Sequence, residues 1–237
     1  MKRGHHMRYF SSEGKYLKSW VYGGLDGIIT TFAIVAGVVG ANLSSAIILI
    51  LGFANLLGDG ISMAVGDYIS TKSEGEYYKR EKKIEEEEAL KNPKNELENI
   101  QAVLEKKGFN KKDAKKISLL ISKNKGYQAE TILHDEFGIV KGSVHPGRNA
   151  GVTFISFLAF GMIPLLLFVV GAFLNSTIPN AFLWASILSG IAMFSLGVIK
   201  SKVTNKNWIR SGGETLLVGG VAATAAYFAG EILSKIV

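Results

Sequence analysis

The sequence predicts an all-α polytopic membrane protein with five transmembrane helices and one inserted, highly charged helical domain. Three observations carry this expectation. Residues Trp20 to Gly58 form a run of 39 with a single charge, Asp26, and Asn149 to Ile199 form a run of 51 with none. Each run accommodates two helices, because crossing the hydrocarbon core takes about 20 apolar residues. The charges are segregated: 14 of the 20 acidic residues and 16 of the 27 lysines and arginines lie between Thr71 and Lys141. The mean hydropathy of +0.23 therefore averages two solvents. Finally, Lys and Arg are concentrated on alternate connections, as they are when one side of a membrane holds the positive loops.

Each element has a local cause. Residues 1–18 are polar and basic, without the short apolar stretch and small-residue cleavage site of a signal peptide. The Gly4-His5-His6-Met7 stretch is too short for a metal site and is compatible with a cloning remnant. The first two spans occupy 19–70 and are separated at Ala41-Asn42-Leu43-Ser44, where Asn and Ser can turn the chain and cap the next helix. The second helix is expected to run on past Asp59 and Asp67. Residues 71–147 read as four helices. The first ends at Pro93, the second at Gly108, the third starts at Asn110 as N-cap, and the fourth ends at Gly138. Spans three to five fill 148–237, with a polar, proline-containing turn at 175–180 and a fifth span that follows Arg210-Ser211-Gly212-Gly213 and reaches Glu231. Glycine-rich runs supply small residues that let membrane helices approach closely.

Topology follows from the basic flanks. Lys2, Arg3, Arg8, Lys15 and Lys18 precede the first span, and Lys200, Lys202, Lys206 and Arg210 lie between the fourth and fifth. The other two turns have none, and the C-terminal end has only Lys235. Five spans put the N-terminus, the charged domain and the 200–210 loop together on the cytoplasmic side. The net charge of +7 is therefore a topology signal and not a nucleic-acid footprint, because the charged segment itself is nearly balanced. The absence of cysteine excludes disulfides, iron–sulfur clusters and thiolate metal sites.

Candidate chemistry sits in two places. Asp26 is an ionisable residue inside an apolar span, where an ionised carboxylate is costly and usually marks an ion or proton pathway. Met63, between Asp59 and Asp67 on the second span, offers a soft thioether to a transition metal. In the charged domain Glu81, Glu85 and Glu88 share one helical face, at i, i+4 and i+7. Glu96 and Glu98 open the next helix, and Asp135 and Glu136 close the fourth. Carboxylates gathered from three helices repel one another unless a cation joins them, and oxygen ligands suit hard or borderline divalent ions.

These residues stand in motifs that resemble the vacuolar iron transporter family. The likeness runs through "YGGLDGIITTFAIVAGVVGAN", "GDGISMAVGDYISTKSEGEYYKREKKIEEEEAL", "ETILHDEFGI" and "FGMIPLL", from about Lys18 to the C-terminus. The resemblance implies a homodimer of five-helix protomers exchanging Fe²⁺, and often Mn²⁺, for protons, with Zn²⁺ and Co²⁺ as further ions such ligands admit. It implies a cell membrane in a prokaryote or a vacuolar membrane in a eukaryote. It places Asp26 and Met63 at the family's membrane aspartate and methionine. Glu85, Glu88, Glu96 and Glu136 then match the glutamates of its cytoplasmic metal-binding domain, with Glu81, Glu98 and Asp59 as secondary candidates. Three positions depart from the eukaryotic pattern: Asn99 for a second glutamate of that helix, with Glu98 adjacent, Ile132 for a methionine, and Asn55 for an acidic residue. Fewer ligands are therefore expected in the domain.

Two other classes compete with a transporter. A membrane-anchored ferroxidase would use the glutamates as a di-iron site, but such sites usually carry Glu-x-x-His pairs, and none occurs here. A metal sensor would leave Asp26 without a role. The expectation is therefore a transporter and not an enzyme.

Overall fold

Helix α1 (Leu17–Gly40) stops where Asn42 adopts φ of 56°, a left-handed conformation that Asn tolerates better than most residues. The computed structural model describes residues 16–142, 145–204 and 206–236, apart from the side chains of Lys202 and Val203. The His5-His6 stretch, the basic residues up to Lys15 and the Lys202 side chain lie outside that description. Helix α2 (Ser45–Lys91) continues unbroken beyond Asp59 and Asp67 and ends just before Pro93. Among the described residues there is no strand.

Three short helices follow: α3 (Pro93–Lys106), α4 (Lys111–Ile121) and α5 (Lys125–Asp135). Their ends have the residues expected of them. Pro93 opens α3, where its missing N–H costs nothing. Gly108, with φ of 97°, takes the left-handed turn after α3. Asn110 and Asn124 cap α4 and α5 by accepting from the backbone N–H of Asp113 and Tyr127.

The remaining helices are α6 (Pro146–Gly161), α7 (Leu166–Phe173), α8 (Ala181–Thr204) and α9 (Trp208–Leu233). Hydropathy reads the third span as one helix, whereas a 3₁₀ turn at Ile163–Leu165 divides it into α6 and α7. Pro164 accounts for the break, because it lacks an N–H and its ring crowds the carbonyl one turn back. The fifth helix also starts earlier than its glycine pair suggests. Asn207 caps it by accepting from Ile209 and Arg210, so Gly212 and Gly213 lie inside the helix. Five helices, with α6 and α7 counted together, are long and apolar enough to cross a membrane. The chain is a multi-pass membrane protein.

The chain forms two compact units, one from Met1–Tyr68 with Val144–Val237 and one from Ile69–Ser143. In the first, α1 is central. A Cβ on Gly23 or Gly27 would fall 2.5 or 2.4 Å from the carbonyl oxygens of Thr153 and Phe157. At the other end of α1, a Cβ on Gly230 would fall 2.0 Å from the Gly37 carbonyl. The helices thus touch backbone to backbone, as small residues allow when packing replaces the hydrophobic effect inside lipid. Ile28, Val35, Phe157, Leu165 and Leu196 are fully buried in this unit. The second unit has its own core of Ile100, Leu104, Ala114 and Ile132, burying apolar surface as a water-soluble domain does. Ile132 is packed into this core, at 1% exposed.

Candidate metal sites

In the first unit the candidate residues lie on α1 and α2. Thr30 stands one turn beyond Asp26 and donates its hydroxyl to the Asp26 main-chain carbonyl at 2.8 Å. Asn55 on α2 donates from Nδ2 to Thr30 Oγ1 at 3.3 Å, which ties the two helices at this level. Asp59 lies one turn beyond Asn55, within electrostatic reach of Asp26. Met63, one turn further, is partly buried against the apolar core of the spans. Asn55, Asp59, Met63 and Asp67 follow at intervals of four and share one face of α2. Asp59 is exposed on that face.

Asp67 has a role that sequence reasoning missed. Its carboxylate accepts from Asn149 Nδ2 at 2.7 Å and from the Thr153 hydroxyl. Asn149 is itself held, because its Oδ1 accepts from Ser19 Oγ at 2.7 Å. A largely buried polar clasp therefore joins the first turns of α1 and α6 to the middle of α2. Only a faint signal announced it: Asn149 and Thr153 are one turn apart in an otherwise apolar run.

In the second unit the glutamates come from α2, α3 and α5. Glu85 and Glu88 are half-buried on the charged end of α2, Glu96 sits in the first turn of α3, and Glu136 caps the C-terminus of α5. An acidic side chain suits the N-terminus of α3, where the helix dipole is positive. Glu96 is only 6% exposed; its Oε1 accepts from Asn99 Nδ2 at 3.3 Å, and its Oε2 has no partner among the described residues. Burial pushes the Glu85 carboxyl up from the ordinary value, and Glu96, Glu136, Glu81 and Glu88 add to that by repulsion. Burial likewise raises Glu96, as do Glu136 and Glu88, while Asn99 and Lys125 oppose the shift. The five carboxylates are therefore neighbours in energy as well as in sequence pattern.

They are not clenched around one point. Among the described residues no three His, Asp or Glu side chains stand close enough together to hold a single ion as they are placed. Mutual repulsion accounts for the spread, since like charges separate when only water and a few lysines screen them. The unpartnered, buried Glu96 oxygen is the feature that calls for a cation, because such an atom is costly unless something satisfies it. One candidate is engaged by a cation already and another faces elsewhere. Glu81 is paired with Arg80 at 2.7 Å, and Glu98 is exposed, two residues from Glu96 and so on a different face of α3. Asn99, not Glu98, turns towards Glu96.

The raised carboxyl groups give a pH dependence. In the metal-free unit, Glu85 and Glu96 contribute stability that is fully present below the ordinary glutamate pKa of about 4.3 and is lost as pH rises through their elevated values. A divalent ion prefers the deprotonated form, so binding should expel protons and weaken as pH falls towards the elevated carboxyl values. Calorimetry in buffers of different ionisation enthalpy should show this release, and a pH-independent affinity would contradict it.

A family model described as the VIT family matches residues 17–231. The chain is 37% identical to a vacuolar iron transporter of Toxoplasma gondii, over 98% of this chain and 79% of that protein. It is 32% identical to a vacuolar iron transporter of Plasmodium berghei, over 96% of this chain and 86% of the relative. With vacuolar iron transporter 1 of Arabidopsis thaliana the identity is 28%, over 97% and 90% of the two chains.

Proposed function

Since the chain belongs to the VIT family, we propose that it carries Fe²⁺, with Mn²⁺ as a second substrate, out of the cytoplasm in exchange for protons. The observation that carries this reading is Asp26. It is a carboxylate on the apolar helix α1, with Asp59 in electrostatic reach and Asn55 and Thr30 tied beside it. A carboxylate in this setting is stable either protonated or with a cation alongside, and seldom as a bare anion. Exchange of one for the other links the two fluxes. Met63 supplies a thioether one turn from Asp59, which favours a borderline transition metal over Mg²⁺ or Ca²⁺.

The glutamates of the second unit gather the ion before it crosses. Oxygen ligands from Glu85, Glu88, Glu96 and Glu136, aided by the unpartnered Glu96 oxygen, suit Fe²⁺ and Mn²⁺ and admit Zn²⁺ or Co²⁺. With asparagine at position 99 and isoleucine at 132, selectivity in this domain rests on charge and not on sulfur. Side chains must close in by rotation for several of them to reach one ion.

The protein works as a homodimer. Asp59 is exposed on its face of α2, and Leu51, Leu57, Ile61 and Val65 are exposed around the rest of the helix. A carboxylate turned to lipid is unfavourable, whereas a second copy covering this face would line a shared, hydrated path. The second unit lies on the cytoplasmic side in this reading, which the basic residues Lys18, Lys200, Lys206 and Arg210 support. The membrane is vacuolar in a eukaryotic host, in keeping with the relatives, and the cell membrane in a prokaryotic one. Vesicles holding an iron-quenched dye test the reading: purified protein should admit Fe²⁺, faster with an opposing proton gradient. Uptake no faster than in protein-free vesicles would overturn it.

A further inference from the structure

We propose that Lys125 is a tethered counter-cation of the acidic cluster and sets how tightly that cluster takes a divalent ion. The inference rests on the metal-gathering reading of the glutamates. Lys125 is the first residue of α5, and its part-buried ammonium reaches across to α2. There it donates to the Ala89 carbonyl at 3.1 Å, and on its own helix to Gln128 Oε1 at 3.3 Å. Both anchors belong to the cluster's frame. Ala89 is fully buried, directly follows Glu88 and lies one turn beyond Glu85. Gln128 is fully buried too and begins the α5 face that runs through Ile132 to Glu136. The ammonium thus sits where the two glutamate-bearing helices meet.

Its mode of attachment distinguishes it from the other lysines nearby. Lys82 is committed to Glu130 at 2.6 Å, and Lys91 stands 3.7 Å from Glu88 at the exposed end of α2. Lys125 is held by two neutral acceptors, so its charge is not spent on a single ion pair. Its effect on Glu96 is consistent with this placement, since it opposes the repulsion that the other carboxylates impose. A fixed positive charge relieves that repulsion when no metal is bound. The same charge works against an arriving divalent ion and helps to release it. Gathering metal for onward transfer needs such a compromise between capture and release.

The test uses the full chain in detergent, with Co²⁺ as the probe and calorimetry as the readout. Lys125→Met should tighten Co²⁺ binding by about tenfold, the order expected for one charge at a partly screened site. The gain should shrink as salt is raised, and Lys125→Arg should bind like the wild type. The metal-free Lys125→Met protein should unfold at a lower temperature, yet gain more from added Co²⁺. Lys125→Gln, which keeps a donor for the Ala89 carbonyl, serves if the methionine variant fails to fold. Unchanged or weaker binding in a folded, charge-free variant would overturn the proposal. The Glu85→Ala, Glu88→Ala double variant separates the two levels. If it binds Co²⁺ like the wild type, the metal-gathering reading fails and Lys125 falls with it. If it binds weakly while Lys125→Met shows no gain, that reading stands and only the counter-cation is lost.

Discussion

Replacing Asp26 by asparagine is expected to abolish Fe²⁺ transport while metal binding by the glutamate cluster persists. The substitution is close to isosteric and removes a charge from an apolar helix instead of adding one, so the fold should survive. The local geometry supports this. The bond that Thr30 makes at this level goes to the Asp26 main chain, and Asn55 bonds to Thr30, so neither depends on the carboxylate. Transport should fail because an amide neither releases a proton nor matches a carboxylate as a ligand. Met63 deserves a different variant from the obvious alanine. It packs against the core of the spans, and Met→Ala at such a site costs about 2 kcal/mol or more in lost packing. Met63→Leu keeps the volume, and should slow transport far less than Asp26→Asn does. Normal Fe²⁺ flux through well-folded Asp26→Asn protein would place the pathway elsewhere.

Removing two carboxylates from the cluster is the second large effect. The Glu85→Ala, Glu88→Ala protein should bind Fe²⁺ or Zn²⁺ about a hundredfold more weakly and take up fewer ions, because each charged ligand lost is worth about 1.4 kcal/mol. The helix should be unharmed. Alanine is the best helix former, and Asn92 and Lys91, which contact Glu88, are both exposed. Metal-free stability should rise slightly, since Glu85 is half-buried among four other carboxylates. That combination, weaker binding with an equal or firmer fold, distinguishes a binding site from a structural one. Unchanged calorimetric isotherms would remove the cluster from the account.

Much of this architecture was legible because the chain changes solvent abruptly. The lengths of the uncharged runs gave the number of spans, and Asn42, Pro93, Gly108 and Asn110 marked ends by backbone chemistry that is local in sequence. What escaped depended on distant partners or on signals with two meanings. Pro164 sits in an apolar run, so hydropathy passed over the break it makes. Gly212 and Gly213 stand ahead of the fifth span in the sequence reading, yet Gly212 is helical, and a Cβ there would fall 2.5 Å from the Phe194 ring. Among the candidate site residues, Asp26, Met63 and the glutamates announced themselves by charge in an apolar span, helical spacing and family motifs. Asp67 did not, because its partners Asn149 and Thr153 are 82 and 86 residues away. Lys125 was one lysine among many until its contacts showed which helices it joins.

The most direct test of proton-coupled metal export is to follow Fe²⁺ and H⁺ together in vesicles containing the purified protein. Fe²⁺ entry should be matched by H⁺ exit in a fixed ratio. An imposed proton gradient should drive Fe²⁺ against its own gradient, and both fluxes should vanish together in Asp26→Asn. Fe²⁺ entry without any accompanying proton movement, or a proton leak that survives in Asp26→Asn while Fe²⁺ flux is lost, would contradict the coupling assigned to Asp26.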